Sequence, residues 1–327
     1  MESIDKHKER TGCILNFSGG FDSLAALYLM PEDTKLVAID FGGWFEREKE
    51  FFEQFNPYTL KTNFRQEKLD RNSWTFMGIG AILYAEALNA RENVFGTILE
   101  ATPKHFVKKP NAAYNGNTTP FLYAGLHDVR YTNGLTEVGT ALVVSHYAPE
   151  MADRSLKSLS NPKTEKRYRK ELLLDIVCEK FNRKVEFERT EAPDKKIAFG
   201  TNLAVDFLCL YILKNRGMQV ANGTVSDIPQ EAVEFVATHE LKFYERLNCE
   251  FVSGTTFSSD EARGEFMNKV LKAGVLPYTE MDYAEFREVA NFLNTYHHFM
   301  ENEVVSENKK KKTWIQVLKR FLSGANK

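Results

Sequence analysis

The sequence predicts an α/β protein, with a doubly wound parallel sheet followed by a mainly helical C-terminal region. Three observations support this prediction. Strand-like and helix-like runs alternate through the first third of the chain, two glycines stand between the first strand and the first helix, and residues 231–300 have mostly helical patterns. Alternating strands and helices are typical of a parallel sheet with helices on both faces. The 327 residues suffice for one large domain or two modest ones.

The first unit is predicted to span residues 1–130. Apolar runs predict strands at 13–17, 35–41, 58–62 and 93–97. Apolar residues at helical spacing predict helices at 24–30, 45–55 and 74–88. Ligands of such sheets bind at the carboxyl ends of the strands. The turn after the first strand is therefore the first candidate for a binding site.

The second unit, residues 131–230, is predicted to follow a similar order. We expect strands at 140–145, 184–188 and 219–224, and helices at 166–181 and 203–214. The pairs Phe55-Asn56 and Gly96-Thr97 recur as Phe181-Asn182 and Gly223-Thr224 at nearly the same spacing. Two interpretations stay open: a degenerate second copy of the α/β unit, or coincidence. The turn at 145–150 contains no glycine, so it is not expected to bind phosphate.

The last two segments are a helical region at 231–300 and a basic amphipathic tail at 301–327. In the tail, four lysines at 309–312 precede apolar residues at helical spacing, namely Trp314, Val317, Leu318 and Phe321. This pattern predicts either a helix that binds an acidic protein partner, a nucleic acid or a membrane surface, or a terminal helix packed on the body of the protein.

Composition indicates a globular protein. The formal net charge is −2, and 43% of the residues are hydrophobic. No signal peptide and no membrane-spanning run is recognisable in the sequence, and the four cysteines form no C-x-x-C pair. We therefore expect a reduced cytoplasmic protein with no zinc site and no membrane span.

The turn after the first strand carries the strongest functional signal, the run Ser18-Gly19-Gly20-Phe21-Asp22-Ser23. A strand, a glycine turn and a helix place backbone N–H groups and a positive helix end around phosphate oxygens. Two serine hydroxyls can donate hydrogen bonds, and Asp22 can cap the helix or bind Mg²⁺. The run contains no lysine, so it is not a Walker A loop.

The order Ser-Gly-Gly-x-Asp-Ser after a first strand resembles the PP-loop of the N-type ATP pyrophosphatases. The resemblance implies an adenine nucleotide alpha hydrolase-like fold that binds ATP through all six residues of the run. It also implies cleavage of ATP between the α and β phosphates, with adenylation of a substrate oxygen and release of pyrophosphate. Ser18, Asp22 and Ser23 would then be catalytic, and Asp22 is the expected ligand of Mg²⁺.

Within that superfamily, the first 100 residues resemble most the 7-cyano-7-deazaguanine synthases. The matching stretches are 37–43, followed by the charged run 46–48, then Arg71-Asn72, 80–88 and 94–97. The resemblance implies that Asp40 and Phe41 contact adenine or ribose and that Gly96 lies near the nucleotide. Two interpretations of Arg71 stay open: a catalytic role, the neutralisation of phosphate charge as pyrophosphate leaves, or an ordinary surface arginine in the polar stretch 66–71.

The resemblance does not extend to the zinc cysteines of those synthases. Near the corresponding helix the chain offers only Cys249, and one cysteine cannot form a four-ligand zinc site. The family's acidic and cysteine substrate motif is also missing from 101–106. The nucleotide-binding half therefore resembles the family, and the substrate-binding half differs from it.

The predicted function is an ATP-dependent, AMP-forming enzyme that uses ATP and Mg²⁺. Its substrate would be a small carboxylate, carboxamide or nucleobase, including a 7-deazaguanine-like base. A homodimer is a further expectation. Two alternatives remain open: an enzyme that modifies tRNA or DNA, and a non-catalytic protein that senses ATP or AMP or acts as a scaffold. The near-neutral charge disfavours the polymer substrate, because binding to a phosphate backbone needs several well-placed lysines and arginines.

Overall fold

A computed structural model describes residues 10–42, 44–69, 74–107, 119–252, 257 and 259–300. The predicted Arg71 and the basic tail at 301–327 lie outside these residues. The strands are β1 (Gly12–Asn16), β2 (Lys35–Asp40), β3 (Tyr58–Lys61), β4 (Ala90–Phe95), β5 (His127–Val129), β6 (Ile197–Ala198) and β7 (Val225–Ser226). The helices are α1 (Phe21–Leu29), α2 (Trp44–Glu53), α3 (Ile79–Tyr84), α4 (Lys104–Val107), α5 (Thr119–Tyr123), α6 (Glu137–Tyr147), α7 (Ala152–Leu159), α8 (Glu165–Lys180), α9 (Leu203–Ala221), α10 (Gln230–Thr238), α11 (Asp260–Lys272) and α12 (Glu280–His297).

The fold is α/β, as predicted, and contains a five-stranded parallel sheet. The strand order is β3-β2-β1-β4-β5, with β1 at the centre. The interior of β1 is buried on both faces, at Cys13, Ile14 and Leu15, which is typical of a parallel strand covered by helices. All four strands predicted in the first unit form, and β5 was not predicted from the sequence.

The strand predicted at 140–145 is wrong, because these residues form the middle of α6. Thr136 caps this helix, and its hydroxyl oxygen accepts hydrogen bonds from the N–H groups of Val138 and Gly139. Residues 137–145 are all buried, so the apolar run has no helical periodicity. A short run of this kind cannot be assigned to a buried strand or a buried helix from its pattern alone.

Two further strand predictions in the second unit are also wrong. Residues 184–188 have no regular secondary structure, although the Glu188 N–H donates to Asp153 Oδ1 at 3.0 Å. Residues 219–224 contain the end of α9 and a turn, and only the two-residue strand β7 follows. The predicted helix at 74–88 divides into a 3-10 helix at Trp74–Gly78 and α3.

The larger part of the core lies on one side of the central sheet, where α6 packs against both α1 and α8. A smaller cluster, which includes Ile14 of β1 and Ala81 of α3, covers the other face. Leu24 of α1, Leu142 of α6 and Leu174 of α8 are fully buried in the larger part. Each such leucine contributes roughly 1.5–3 kcal/mol to stability. This packing holds α8 against the beginning of α1 and so fixes the surroundings of the glycine turn. Of the helices described, none has both the length and the apolar character needed to cross a membrane.

Candidate functional site

The glycine turn, residues 18–20, joins the carboxyl end of β1 to α1. Gly19 has φ +72°, a conformation that residues with a Cβ rarely adopt. A Cβ on Gly19 would also lie only 3.1 Å from the ring of Phe51. Gly20 precedes α1 without a side-chain cap, so the first N–H groups of the helix remain available to an anion.

The two serines of the turn have different environments. Ser23 is buried, and its Oγ accepts hydrogen bonds from Ser18 N at 3.3 Å and from Ser18 Oγ at 3.0 Å. The Ser23 hydroxyl in turn donates to Gly20 O at 3.0 Å. Ser23 therefore holds the turn in shape. Ser18 is exposed, so its hydroxyl is the one that a ligand can reach.

Gly96, directly after β4, packs against the start of α1. A Cβ on Gly96 would lie 2.5 Å from Ser23 N and 2.7 Å from the Asp22 carbonyl carbon, so only glycine allows this approach. The chain adds β2 and β3 on one side of β1 and β4 and β5 on the other, so the strand order reverses between β1 and β4. The glycine turn follows β1 and Gly96 follows β4, so both lie at this point. Ligands of open parallel sheets bind at such a crevice.

Asp22 contacts two residues from distant helices. Its Oδ1 accepts a hydrogen bond from Thr140 Oγ1 of α6 at 3.1 Å. Lys170 Nζ of α8 donates to Oδ1 at 3.2 Å and to Oδ2 at 3.5 Å. The Lys170 side chain is only 2% exposed. The ion pair therefore places a buried ammonium group directly beside the glycine turn, where the sequence shows no lysine.

Lys170 belongs to a set of buried and half-buried ionisable side chains, here called the charge cluster, that links α6 and α8 beneath the turn. Its members are Asp22, Glu100, Glu137, Glu165, Arg169 and Lys170. Glu137 Oε1 lies 3.3 Å from Lys170 Nζ, and Glu137 Oε2 accepts a hydrogen bond from Arg169. Arg169 Nε also donates to Glu165 Oε1 at 2.7 Å.

The charges of this cluster determine the ionisation of its members. Burial alone would raise the pKa of Glu137, but Arg169 and Lys170 outweigh that effect and lower it to about 2. Burial would likewise lower the pKa of Lys170, but Asp22 and then Glu137 outweigh it and raise that pKa. Glu137 is therefore an anion and Lys170 a cation at neutral pH.

Lys166 stands one helical turn before Lys170 on α8. Desolvation of its ammonium group, followed by repulsion from Lys170, lowers its pKa. Attraction to Asp22 and Glu137 opposes this effect. Lys166 is thus a second lysine of α8 whose charge acts on the turn.

Glu100 is the acid of the cluster that is protonated at neutral pH. Burial first, and repulsion from Glu137 second, raise its pKa to about 8. Its Oε1 accepts a hydrogen bond from the Glu137 N–H at 2.8 Å, at the start of α6. Its Oε2 is buried and has no partner among the described residues. Glu100 thus caps α6 as a neutral acid.

The substitution Glu100→Gln is expected to reduce the dependence of stability on pH. The folded-state pKa of about 8 lies above the ordinary value of 4.5, so the stabilising contribution of the protonated acid is complete below the ordinary value. It is lost as the pH rises through the folded value. Because glutamine is neutral and keeps the acceptor for the Glu137 N–H, we expect the variant to be about 1–3 kcal/mol more stable than the wild type above the folded-state pKa.

Urea unfolding in mildly acidic and in alkaline buffer measures this difference. If the free energies of unfolding of the wild type and of Glu100→Gln differ by the same amount at every pH, Glu100 does not titrate with a raised pKa.

The predicted nucleoside contacts lie at the carboxyl end of β2, next to β1. Asp40 Oδ1 accepts a hydrogen bond from the Gly42 N–H at 2.7 Å, and Asp40 borders a cavity of about 290 Å³. The Phe41 ring makes an edge contact with Phe76 at 5.6 Å, and the Arg65 guanidinium lies over its face at 4.4 Å. Aromatic and guanidinium planes of this kind can stack on a base.

The described residues contain no group of three or more His, Cys, Asp or Glu side chains that could hold a metal ion. Mg²⁺ needs only one or two protein carboxylates when phosphates and water supply its other ligands. Asp22 is the carboxylate at the turn, but it already contacts Lys170 and Thr140. A metal ion at Asp22 therefore has to compete with the ammonium group of Lys170.

The structure thus brings the predicted residues Ser18–Ser23 and Gly96 together, and places Asp40 and Phe41 on the neighbouring strand. It adds Thr140, Lys166 and Lys170, which sequence reasoning missed. Comparisons of the chain with protein-family models, with curated proteins and with solved structures found no match. The interpretation of the site therefore comes from its own residues.

Proposed function

We propose that the glycine turn binds the triphosphate of ATP and that the protein forms AMP by adenylating a substrate oxygen. The observation that carries this proposal is the close approach of Gly96 to Ser23 N. Glycine therefore stands on both sides of the crevice, Gly20 before α1 and Gly96 after β4. No side chain of these two residues blocks the first N–H groups of α1, which are available to an anion. A glycine at position 96 also allows the close packing of strand and helix that is typical of nucleotide-binding turns.

The charges around the turn support a phosphate ligand. The N-terminus of a helix contributes about 0.3–1 kcal/mol to anion binding at exposed sites and up to about 2 kcal/mol when partly buried. That contribution is small for a triphosphate, so a further cation is needed. Lys170 and Lys166 of α8 supply positive charge from outside the loop sequence, and Mg²⁺ bound to the phosphates would supply the rest.

The topology supports a more specific assignment of the fold. The order β3-β2-β1-β4-β5 is that of doubly wound nucleotide-binding sheets, in which the ligand lies where the strand order reverses. We therefore assign the chain to the adenine nucleotide alpha hydrolase-like fold and to the PP-loop ATP pyrophosphatases. On this assignment Asp40 and Phe41 lie on the adenosine side of the turn.

The proposed chemistry divides the roles among few residues. A nucleophilic oxygen of the substrate attacks the α-phosphorus, and pyrophosphate leaves as the adenylate forms. An amine, ammonia or sulfur donor then attacks the activated carbon of the adenylate and displaces AMP. The α1 N–H groups, the Ser18 hydroxyl and the Lys170 ammonium stabilise the charge on the departing phosphates, and Arg71 is assigned the same role. Ser23 maintains the shape of the turn. Asp22 would hold the Mg²⁺ that accompanies the phosphates, and the ammonium group of Lys170, released from this carboxylate, would pair with the phosphate oxygens.

The decisive experiment measures pyrophosphate release from ATP and Mg²⁺ with small carboxylates, carboxamides and nucleobases as acceptors. Because the exposed Ser18 hydroxyl can turn from Ser23 Oγ to a phosphate oxygen, Ser18→Ala is expected to lower the rate by about tenfold to a hundredfold. Ser226→Ala, in which the lost hydroxyl donates to the neighbouring Asp227, is the matched control and should keep the full rate. If Ser18→Ala and Ser226→Ala released pyrophosphate at the same rate, the Ser18 hydroxyl would take no part in the reaction and the proposed role of the turn would be wrong.

The ion pair between Asp22 and Lys170 favours a second candidate function, a protein that binds ATP or AMP without turning it over. In this arrangement the carboxylate expected to bind the metal is already paired. A sensor of this kind would bind the nucleotide equally well with and without Mg²⁺ and would release no pyrophosphate. Calorimetry in the presence and absence of the metal, next to the release assay, distinguishes the two functions.

A further inference from the structure

A groove of about 1020 Å³ lies between α2 and the paired helices α7 and α8. Its other walls are the α7–α8 connection at 160–163 and the irregular segment at 188–191. The groove lies behind the glycine turn, because Phe51, which lines it, packs against Gly19. On α7, Ser158 lines the groove, and Ser155 one turn earlier donates to Gly19 O at 2.7 Å. The groove therefore shares a wall with the turn.

Arg167 lines this groove although it is almost completely buried, with 2% exposure. A guanidinium group has five N–H donors. In Arg167 the Nε donates to Glu171 Oε1, and Nη2 makes one long contact of 3.4 Å with Glu188 O. Its Nη1 has no hydrogen-bond partner among the described residues. A buried cation with unused donors beside an open space is equipped to bind an anion.

Glu171 fixes the orientation of that guanidinium. Its Oε2 accepts hydrogen bonds from Thr190 N at 2.8 Å and from Thr190 Oγ1 at 2.9 Å, while its Oε1 accepts from Arg167. Both carboxylate oxygens are therefore occupied, and the carboxylate holds Arg167 in one position. Such support from a second layer of residues is what a pre-organised binding group requires.

The two long walls of the groove carry opposite charges. On the α7 and α8 side stand Arg167 and the exposed Arg154, which has no ion-pair partner among the described residues. On the α2 side stand Glu50 and Glu53, both exposed and likewise unpaired among the described residues. The remaining charges of the lining form pairs with each other or with nearby residues, namely Lys157 with Asp153 and Glu188, Lys163 with Glu191, and Arg189 with Asp175.

From this arrangement we infer that the groove is a second binding site, for a small zwitterion. Its carboxylate or phosphate contacts Arg167 and Arg154, and its amino group faces Glu50 and Glu53. An anion alone would use only the basic wall, and a cation alone would leave the free donors of the buried guanidinium unused. The site does not depend on the proposed reaction with ATP.

Calorimetric titration of the full chain with matched probes tests this inference. The probes are ω-amino carboxylates of increasing chain length, the alkyl carboxylates of equal length and the alkylamines of equal length. The ω-amino carboxylate whose chain length gives the highest affinity is expected to bind about tenfold more tightly than the alkyl carboxylate or the alkylamine of the same length. Equal affinities for the three classes, or no binding at millimolar concentration, would overturn the inference.

Variants assign the binding to the two walls. Arg167→Lys keeps the charge but loses the fork of donors, and is expected to weaken binding about tenfold. Arg154→Ala should weaken it as well, and Glu53→Gln should reduce the preference for the amino group, because Glu50 remains. Arg216→Ala, at a residue that pairs with Glu179 and does not line the groove, is the control.

Arg154 and Glu53 are exposed, so their variants test the inference even if Arg167→Lys does not fold. Unchanged affinity in both would place the zwitterion elsewhere. Ser18→Ala should leave the affinity for the zwitterion unaltered, which separates failure of this site from failure of the glycine turn.

Discussion

Gly96→Ala is expected to abolish nucleotide binding and to lower the free energy of unfolding by about 3 kcal/mol. The new Cβ would lie 2.5 Å from Ser23 N, 2.6 Å from Ser23 Cα and 2.7 Å from the Asp22 carbonyl carbon. These are backbone atoms, which cannot rotate away as the end of a flexible side chain can. The start of α1 therefore has to move away from β4, and the crevice between β1 and β4 changes shape.

Gly264→Ala is the matched control for this prediction. Gly264 lies inside α11, is exposed, and has no atom within 4 Å of the position of a new Cβ. Alanine is the better helix former, so this variant should be equally stable or up to about 1 kcal/mol more stable. Urea unfolding and titration with ATP compare the two variants. Wild-type stability and affinity in Gly96→Ala would contradict the close approach on which the proposed site depends.

The first unit was predictable because its signals are local. The strand at 13–17, the glycine turn and the helix after it lie within a few residues of each other, and each has its own apolar pattern or turn residue. The structure places β1 at Gly12–Asn16 and α1 at Phe21–Leu29. Gly96 came from the family resemblance, and the sequence contains no signal for the distance between Gly96 and Ser23.

The charge cluster was not predictable, because its contacts depend on tertiary packing. Lys170 and Asp22 are 148 residues apart, and α8 reads as a charged, mostly polar helix whose basic residues would ordinarily face solvent. The error at 140–145 contributed to this omission. Because this apolar run was predicted to be a strand, the prediction contained no α6, which is the helix that places Thr140 and Glu137 near the turn.

Lys170→Met is expected to destabilise the protein by about 3–5 kcal/mol and to remove ATP binding. The substitution leaves Asp22 without its ammonium partner and Glu137 with Arg169 alone. Loss of the buried ammonium group is strongly destabilising, because the carboxylates of the buried Glu137 and the half-buried Asp22 lose their compensating charge. Lys157→Met is the control: this exposed lysine pairs with Asp153 and Glu188, so its loss should cost about 0–1 kcal/mol.

A double variant separates the structural role of Lys170 from its role toward phosphate. In Lys170→Met with Asp22→Asn, the buried lysine and one of its acid partners become neutral together, so part of the lost stability should return. Affinity for pyrophosphate should not return, because the ammonium group beside the turn is still missing. Titration with pyrophosphate in the absence of metal measures this directly. If the double variant recovered affinity together with stability, Lys170 would act only in folding, and the positive charge at the turn would have to come from Lys166 or from the helix end alone.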